Sequence, residues 1–361
     1  MKRLKRTLLS ALGLTLSAAM LLSGCSFSRS GGDESSSSSS DAGTQTTTET
    51  TTDTSSGEFS PMIWKITGEK GNTLYLFGTI HMGDERNEKV LETLKDELDS
   101  CDALAVEFDT VAFNEAVEND PASIADLAKY MMYTDGTTIH DHMDLDLYDK
   151  CVEYLKSNNN YNALYDYYII GLWETLLQQT AIGKSPYSFD NAMDTKLMNY
   201  CKGKNKEILE VESAEFQFKM EAGFSDELSN LLIEDFFDEE ATYVDSLTEL
   251  YEAWLSGDED KIASSENDEN SFSENEKKLA EDYSKVMLTD RNIGMADKAE
   301  EYLDSGKSVF FAVGAAHMVD SDGVVQLMKD RGYTVERISV NEAQGDPAPL
   351  LGNNGFSAMP F

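Results

Sequence analysis

The chain has 361 residues, of which 40% are hydrophobic, 10% aromatic and 27% charged. That composition supplies a core for one large domain or two small ones and excludes wholesale disorder, while 24 glycines and 6 prolines exclude a collagen-like or proline-rich architecture. With 67 acidic against 29 basic residues and a formal net charge of -38, the body repels phosphate backbones and anionic lipid, which argues against nucleic-acid partners and against adsorption to a membrane through its own surface.

Residues 1–24 read as an address. Lys2, Arg3, Lys5 and Arg6 precede an apolar run from Leu8 to Leu22 that is short for a stable membrane span. The following Leu22-Ser23-Gly24-Cys25 resembles the lipobox of bacterial lipoproteins. The resemblance implies a cleaved signal peptide over 1–24 and a diacylglyceryl group on Cys25. It also implies a lipid-anchored protein on the extracytoplasmic face of the cell membrane. Residues 25–60 are Ser, Thr, Gly and acid, with almost nothing to bury, and read as a flexible tether. The folded body is expected over 61–340, and the turn-rich residues 341–361 as a loose tail.

Within the body, "LYLFGTIH" (74–81) predicts a buried strand ending at His81, with "MIWKIT" as a short pairing partner. A helix over 84–100 and a second strand, "ALAVEF" (103–108), complete a βαβ unit, whose sites usually lie at the carboxyl edge of the sheet. The middle reads as helical: 146–156, 163–180, a helix capped by Asp190 or Asn191 and stopped near Gly203, and a long segment over 226–255. A short strand, "KEILEVES" (206–213), interrupts it near Glu212. The acidic stretch 258–278 predicts a polar loop without the spacing of a calcium-binding loop. Helix resumes near Glu274 and runs, with breaks, to Leu303. "SVFFAVGAAH" (308–317) repeats the first logic as a buried strand ending in His317, followed by a helix over 323–331 and a strand over 333–338. The fold class is therefore α/β: a mixed central sheet with flanking helices, two G-x-x-H-bearing β-α units and a helical middle.

The chemistry-bearing signal is a repeat. Residues 77–84 are F-G-T-I-H-M-G-D and residues 313–320 are V-G-A-A-H-M-V-D. Gly78 and Gly314 permit a close backbone approach or a bend that aims each histidine. If the two strands are neighbours, His81 and His317 converge, and a divalent metal is the simplest reason for two imidazoles to share space. Glu107, at the end of a buried strand, supplies a carboxylate ligand, and Glu212 stands similarly on a third strand. Two histidines with one or two glutamates describe an open metal site with a free position for water, the remaining glutamate taking the proton as that water attacks a carbonyl. Glu107 has an alternative reading as a salt-bridge partner of Arg291. Arg291 and Asn292 form a polar pair among small residues, with Arg291 a candidate for stabilising an oxyanion or holding a substrate carboxylate. Asp84 and Asp320 cap the following helices or orient a ligand histidine. His140 and His142 form a weaker, local metal-type string. Cys101, Cys151 and Cys201 have no metal-type spacing and read either as one pair plus a free thiol or as three buried thiols. Nucleophile-elbow, zincin, P-loop and dinucleotide-binding signatures are absent.

The strings G-T-I-H-M-G-D (78–84), A-V-E-F-D (105–109), L-E-V-E-S-A-E-F-Q (209–217), R-N (291–292) and V-G-A-A-H-M (313–318) resemble the TraB/GumN family, which includes the Tiki membrane-bound metalloproteases. The resemblance covers roughly 60–340. It implies an α/β domain related in fold to haem-binding ChaN and erythromycin esterase, and a site built on His81, His317 and Glu107. The expectation is a metal-dependent hydrolase, most simply a peptidase using Mn, Co or Zn, acting on a peptide or protein. The alternative is a non-catalytic peptide- or haem-binding surface lipoprotein that modulates signalling. Oligomeric state is left open.

Overall fold

Val309–Gly314 carries no polar side chain, and such a segment needs a sheet neighbour on each edge and cover on both faces. In the computed structural model, which describes residues 59–263 and 273–340, this segment is strand β5, buried at every position. It lies between β2 (Thr73–Thr79) and β3 (Ala103–Val106), parallel to both. β4 (Glu207–Glu210) runs parallel beyond β3. β1 (Ile63–Thr67) and β6 (Glu336–Arg337) complete the other edge in antiparallel pairing. The order β4-β3-β5-β2-β1-β6 makes a mixed α/β fold with a central six-stranded sheet and flanking helices.

The expected hairpin of β1 with β2 forms, closed by a turn in which Gly71 takes φ 81°, a conformation open to glycine. The crossover through α1 (Arg86–Ser100) is also present, yet β2 and β3 are not neighbours. β5, from the far end of the chain, inserts between them, because the most apolar strand gains most from two partners.

The helical elements that follow are α2 (Thr110–Asn119), α3 (Leu145–Ser157), α4 (Ile170–Ile182), α5 (Met193–Gly203), α6 (Ala214–Glu221), α7 (Asp226–Ser256) and α8 (Glu259–Ala263). Beyond them come α9 (Glu274–Ser284), a π-helical turn (Lys285–Thr289), α10 (Asp290–Ser305), α11 (Ala315–Met318) and α12 (Val324–Asp330). Helix α7 is entered through Ser225, whose hydroxyl accepts from the Leu228 N–H, and ends at Gly257 with φ 68°.

Four expectations need correction. The segment 163–180 is not one helix: Ala163–Tyr167 is a 3-10 turn, and Ile169 donates its N–H to the Met131 carbonyl before α4 begins. Helix α5 has Ala192 at its cap, not Asp190 or Asn191, because the Met193 N–H finds a tertiary acceptor at Ile80 O. The last strand shrinks to Glu336–Arg337. His317 does not end a strand; β5 stops at Gly314 and the histidine rides on α11. Gly78 makes that turn possible: a Cβ there would stand 2.9 Å from Ala315 Cα, so α11 packs directly on the β2 backbone.

Cys101, Cys151 and Cys201 are all buried and unpaired. No helix among the described residues is long and apolar enough to cross a membrane. The signal peptide 1–24, Cys25, nearly all of the tether, the tail 341–361 and part of the acidic stretch (264–272) lie outside the described residues.

Candidate functional site

Parallel strands in register bring their carboxyl ends to one edge. Thr79 of β2 pairs with Gly314 of β5, Ala312 of β5 with Val106 of β3, and Val106 with Glu210 of β4. Four polar residues just past those ends therefore share one edge: His81, His317, Glu107 and Glu212. The pairing continues beyond β4, since the Glu212 N–H donates to the Glu107 carbonyl.

The Glu107 carboxylate is the hub. Its Oε1 accepts from the Gly314 N–H at 2.9 Å and stands 3.8 Å from His81 Nε2 and 4.0 Å from His317 Nε2. Its Oε2 accepts from Arg291 at 2.7 Å and from the Gln217 amide at 3.1 Å. Arg291 also holds both oxygens of Glu212, at 2.8 and 2.9 Å, and donates to the Met287 carbonyl. All three of its nitrogens are thus engaged within the protein. Gln217 bridges the two glutamates, while its own Oε1 is enclosed with no hydrogen-bond partner. The salt-bridge reading of Glu107 and the converging-histidine reading hold together, one on each carboxylate oxygen.

Each imidazole is fixed from behind. His81 Nδ1 donates to Asp194 Oδ2 at 2.9 Å, and Thr79 donates to the other oxygen of Asp194 at 2.6 Å. His317 Nδ1 lies 2.7 Å from Asn292 Oδ1; the Asn292 amide nitrogen donates to Asp322 O, so its oxygen faces the ring and His317 donates. In the neutral rings both Nε2 atoms are then lone-pair acceptors turned toward a third acceptor, Glu107 Oε1. Gly314 leaves the space among them: a Cβ would meet His81 Nε2 at 3.2 Å, Glu107 Oε1 at 3.4 Å and His317 Cδ2 at 3.5 Å.

The electrostatics separate the two histidines. Burial opposes the charged form of His81, but the Asp194 carboxylate and its hydrogen bond outweigh that and raise its pKa. Burial and the Arg291 charge push His317 down to about 3, so it stays neutral. Burial works against ionised Glu107, yet chiefly Arg291, with the Gly314 N–H, holds it below the usual carboxylate range. Glu107 and Glu212 share one buried guanidinium while Asp194 pairs with His81, so three carboxylates stand against one fixed cation, an excess of two negative charges when both imidazoles are neutral.

Asp84 accepts from Arg86 and from the Tyr251 hydroxyl, and the Asp320 carboxylate, at φ 74°, accepts from the Ser321 N–H. Neither touches a histidine; the orienting partners are Asp194 and Asn292. Asp194 escaped the sequence reading, although it had a signal. It lies on the buried face of α5 with Leu197, Met198 and Cys201, where a carboxylate needs a reason. His140 and His142 do not converge. His142 stacks on Tyr133 with ring centroids 4.0 Å apart and bonds Thr137 and Asp226, while His140 packs on Tyr148. Among the described residues, no preformed group of three or more His, Cys, Asp and Glu side chains that would hold a metal ion is found.

A buried cluster of two imidazoles, a clamped glutamate and an arginine at the carboxyl edge of an α/β sheet defines a polar site of the kind active sites are built from. Residues 62–337, well over half of the chain, match the TraB/PrgY/gumN family, and the chain belongs to it. No curated protein and no solved structure matches.

Proposed function

We propose that this chain is a metal-dependent hydrolase that cleaves a peptide bond at the cluster of His81, His317 and Glu107. The observation that carries the reading is the meeting of three lone-pair acceptors, His81 Nε2, His317 Nε2 and Glu107 Oε1, within a cluster carrying excess negative charge. Glu107 Oε1 takes one donor, the Gly314 N–H, but neither Nε2 has one, and acceptors gathered in this way call for a cation, a proton or a water. Two imidazoles and a carboxylate fit a borderline divalent ion such as Mn, Co or Zn, and the enclosed, unpartnered Gln217 Oε1 marks a further place for a hydrogen-bond donor. His81, His317 and Glu107 would hold the ion, which would polarise the scissile carbonyl and lower the pKa of a water.

The chain's own residues prepare that chemistry. Asp194 and Asn292 fix the tautomer and aim of each ring. Arg291 and Gln217 hold Glu107 through Oε2 and leave Oε1 facing the histidines. Glu212 serves here as the second carboxylate that locks Arg291 in place.

A second reading has its own support in the raised basicity of His81 and the lack of a preformed three-ligand group. In it the Asp194–His81 pair takes the proton from water without a metal. Chelator-treated full chain, incubated with a peptide library with and without Mn, Co or Zn, distinguishes the two. The first reading expects cleavage restored by metal and lost in His81→Ala and Glu107→Ala. The second expects cleavage that survives chelation and falls in Asp194→Asn. Stoichiometric peptide or haem binding without products would favour the non-catalytic alternative. The hollow beside the histidines, about 60 Å³, is smaller than a cavity that admits benzene (about 150 Å³), which speaks against a haem seated within it. The lipobox-like sequence supports a further proposal, a lipid on Cys25 that holds the domain at the extracytoplasmic membrane face.

A further inference from the structure

A hollow opens directly onto the two histidines. Its floor is His81, Gly314 and His317, and its walls are Leu247 and Leu250 of α7, Trp254, Ile262 of α8 and Leu288 of the π-helical turn. Among the described residues, no ionisable side chain other than the two imidazoles lines it. Beyond the two imidazoles, a lysine, arginine or carboxylate entering it would leave water for apolar walls, so the overall acidity of the chain does not set its preference. Its volume of about 60 Å³ is well below the roughly 150 Å³ of an engineered cavity that holds benzene. An aliphatic group of a few carbons matches that space more closely than an aromatic ring does.

Two features tie the hollow to the site. Trp254 donates its indole N–H to the Gly78 carbonyl, which anchors the wall to the first G-x-x-H segment. The π-helical turn supplies Leu288 to the wall and the Met287 carbonyl to Arg291, so one irregular element builds both the hollow and the carboxylate clamp. Leu250 and Leu288 are only half-buried, and both face this space.

We infer that this hollow is the substrate's side-chain subsite and that it selects a branched aliphatic residue, of valine or leucine size, next to the bond that is cleaved. The inference rests on the hydrolase reading, and its test is arranged so that the two fail separately. The first arm measures kcat/KM of the metal-supplemented full chain on peptides that differ at one residue beside the cleaved bond. The expected result is a rise of roughly fourfold per methylene from Gly through Ala and Val to Leu, with Phe, Lys and Glu near the Gly level. Leu288→Ala and Leu250→Ala are expected to move the optimum toward Phe. The second arm needs no turnover: calorimetric titration of N-acetyl-leucinamide, N-acetyl-glycinamide and N-acetyl-lysinamide into wild type and Leu288→Arg, with matching circular dichroism as the check on folding. Leucinamide is expected to bind at least tenfold more tightly than the other two and to lose that margin in Leu288→Arg. Selective leucinamide binding without cleavage of any peptide would sink the hydrolase reading and leave the subsite standing. Cleavage or binding indifferent to the side chain, or no leucinamide binding at all, would overturn the subsite.

Discussion

Arg291 is the residue on which the cluster's balance depends. It sits between two buried carboxylates, and its removal strands both. Breaking a buried pair from one side typically costs about 3–5 kcal/mol, because the remaining charge has lost its partner. Arg291→Met is accordingly expected to lower the unfolding free energy by about that amount, read from the midpoint of a urea titration; a loss within error would show that the carboxylates find other partners. A different pair adds its own pH dependence to stability. Burial raises Glu174 and Glu221 to about 8, and both oxygens of Glu221 are enclosed without partners. Between about pH 4.5 and 8 the unfolded chain ionises these groups while the folded one keeps them protonated, so their contribution to stability is full below 4.5 and is lost as pH rises toward 8. Glu221→Gln should flatten that decline and be the more stable protein at pH 8. Equal slopes in thermal melts across the range would contradict the assignment.

At the scale of elements, two glycines position the two histidine segments, with opposite consequences when altered. A Cβ at Gly78 presses on the Ala315 backbone, so Gly78→Ala must push α11 off β2, at about 1–3 kcal/mol, and displace His317 with it. A Cβ at Gly314 points instead into the gap among His81, Glu107 and His317. Gly314→Ala is expected to keep its melting temperature within a few degrees while losing metal binding. The reverse pattern, an unstable Gly314→Ala that still binds, would place the gap elsewhere. The same segments explain what the sequence disclosed. The repeat of G-x-x-H after an apolar run gave the convergence, since parallel neighbours align their carboxyl ends whatever lies between them in the chain. The insertion of β5 between β2 and β3 was not legible, because strand order depends on competition among apolar strands. Nor was the placement of His317 on a helical turn, which depends on Gly78 from another strand. Arg291, Glu107 and Glu212 were each visible as candidates. The Glu107–Arg291 pair was open as one reading, but the sharing of Arg291 with Glu212 was not legible, because side chains that meet across three elements leave no local spacing.

For the molecule as a whole, the sheet places chemistry at one edge and keeps reactive sulfur away from it. Cys101, Cys151 and Cys201 are buried as free thiols, and burial pushes each up to about 12. A thiol that neither ionises nor meets solvent does not react. Iodoacetamide is therefore expected to leave all three unmodified in the native protein and to label all three in urea, counted by mass spectrometry; labelling of any one under native conditions would show that its element opens. The central claim remains that two distant motifs and one strand-end glutamate make a single cation site. Calorimetric titration of Zn²⁺ into the metal-stripped full chain, beside His81→Ala, His317→Ala and Glu107→Gln, tests it most directly. The account predicts one site in the wild type, weakened at least a hundredfold by each substitution alone; binding that survives any of the three, or no binding in the wild type, would contradict it.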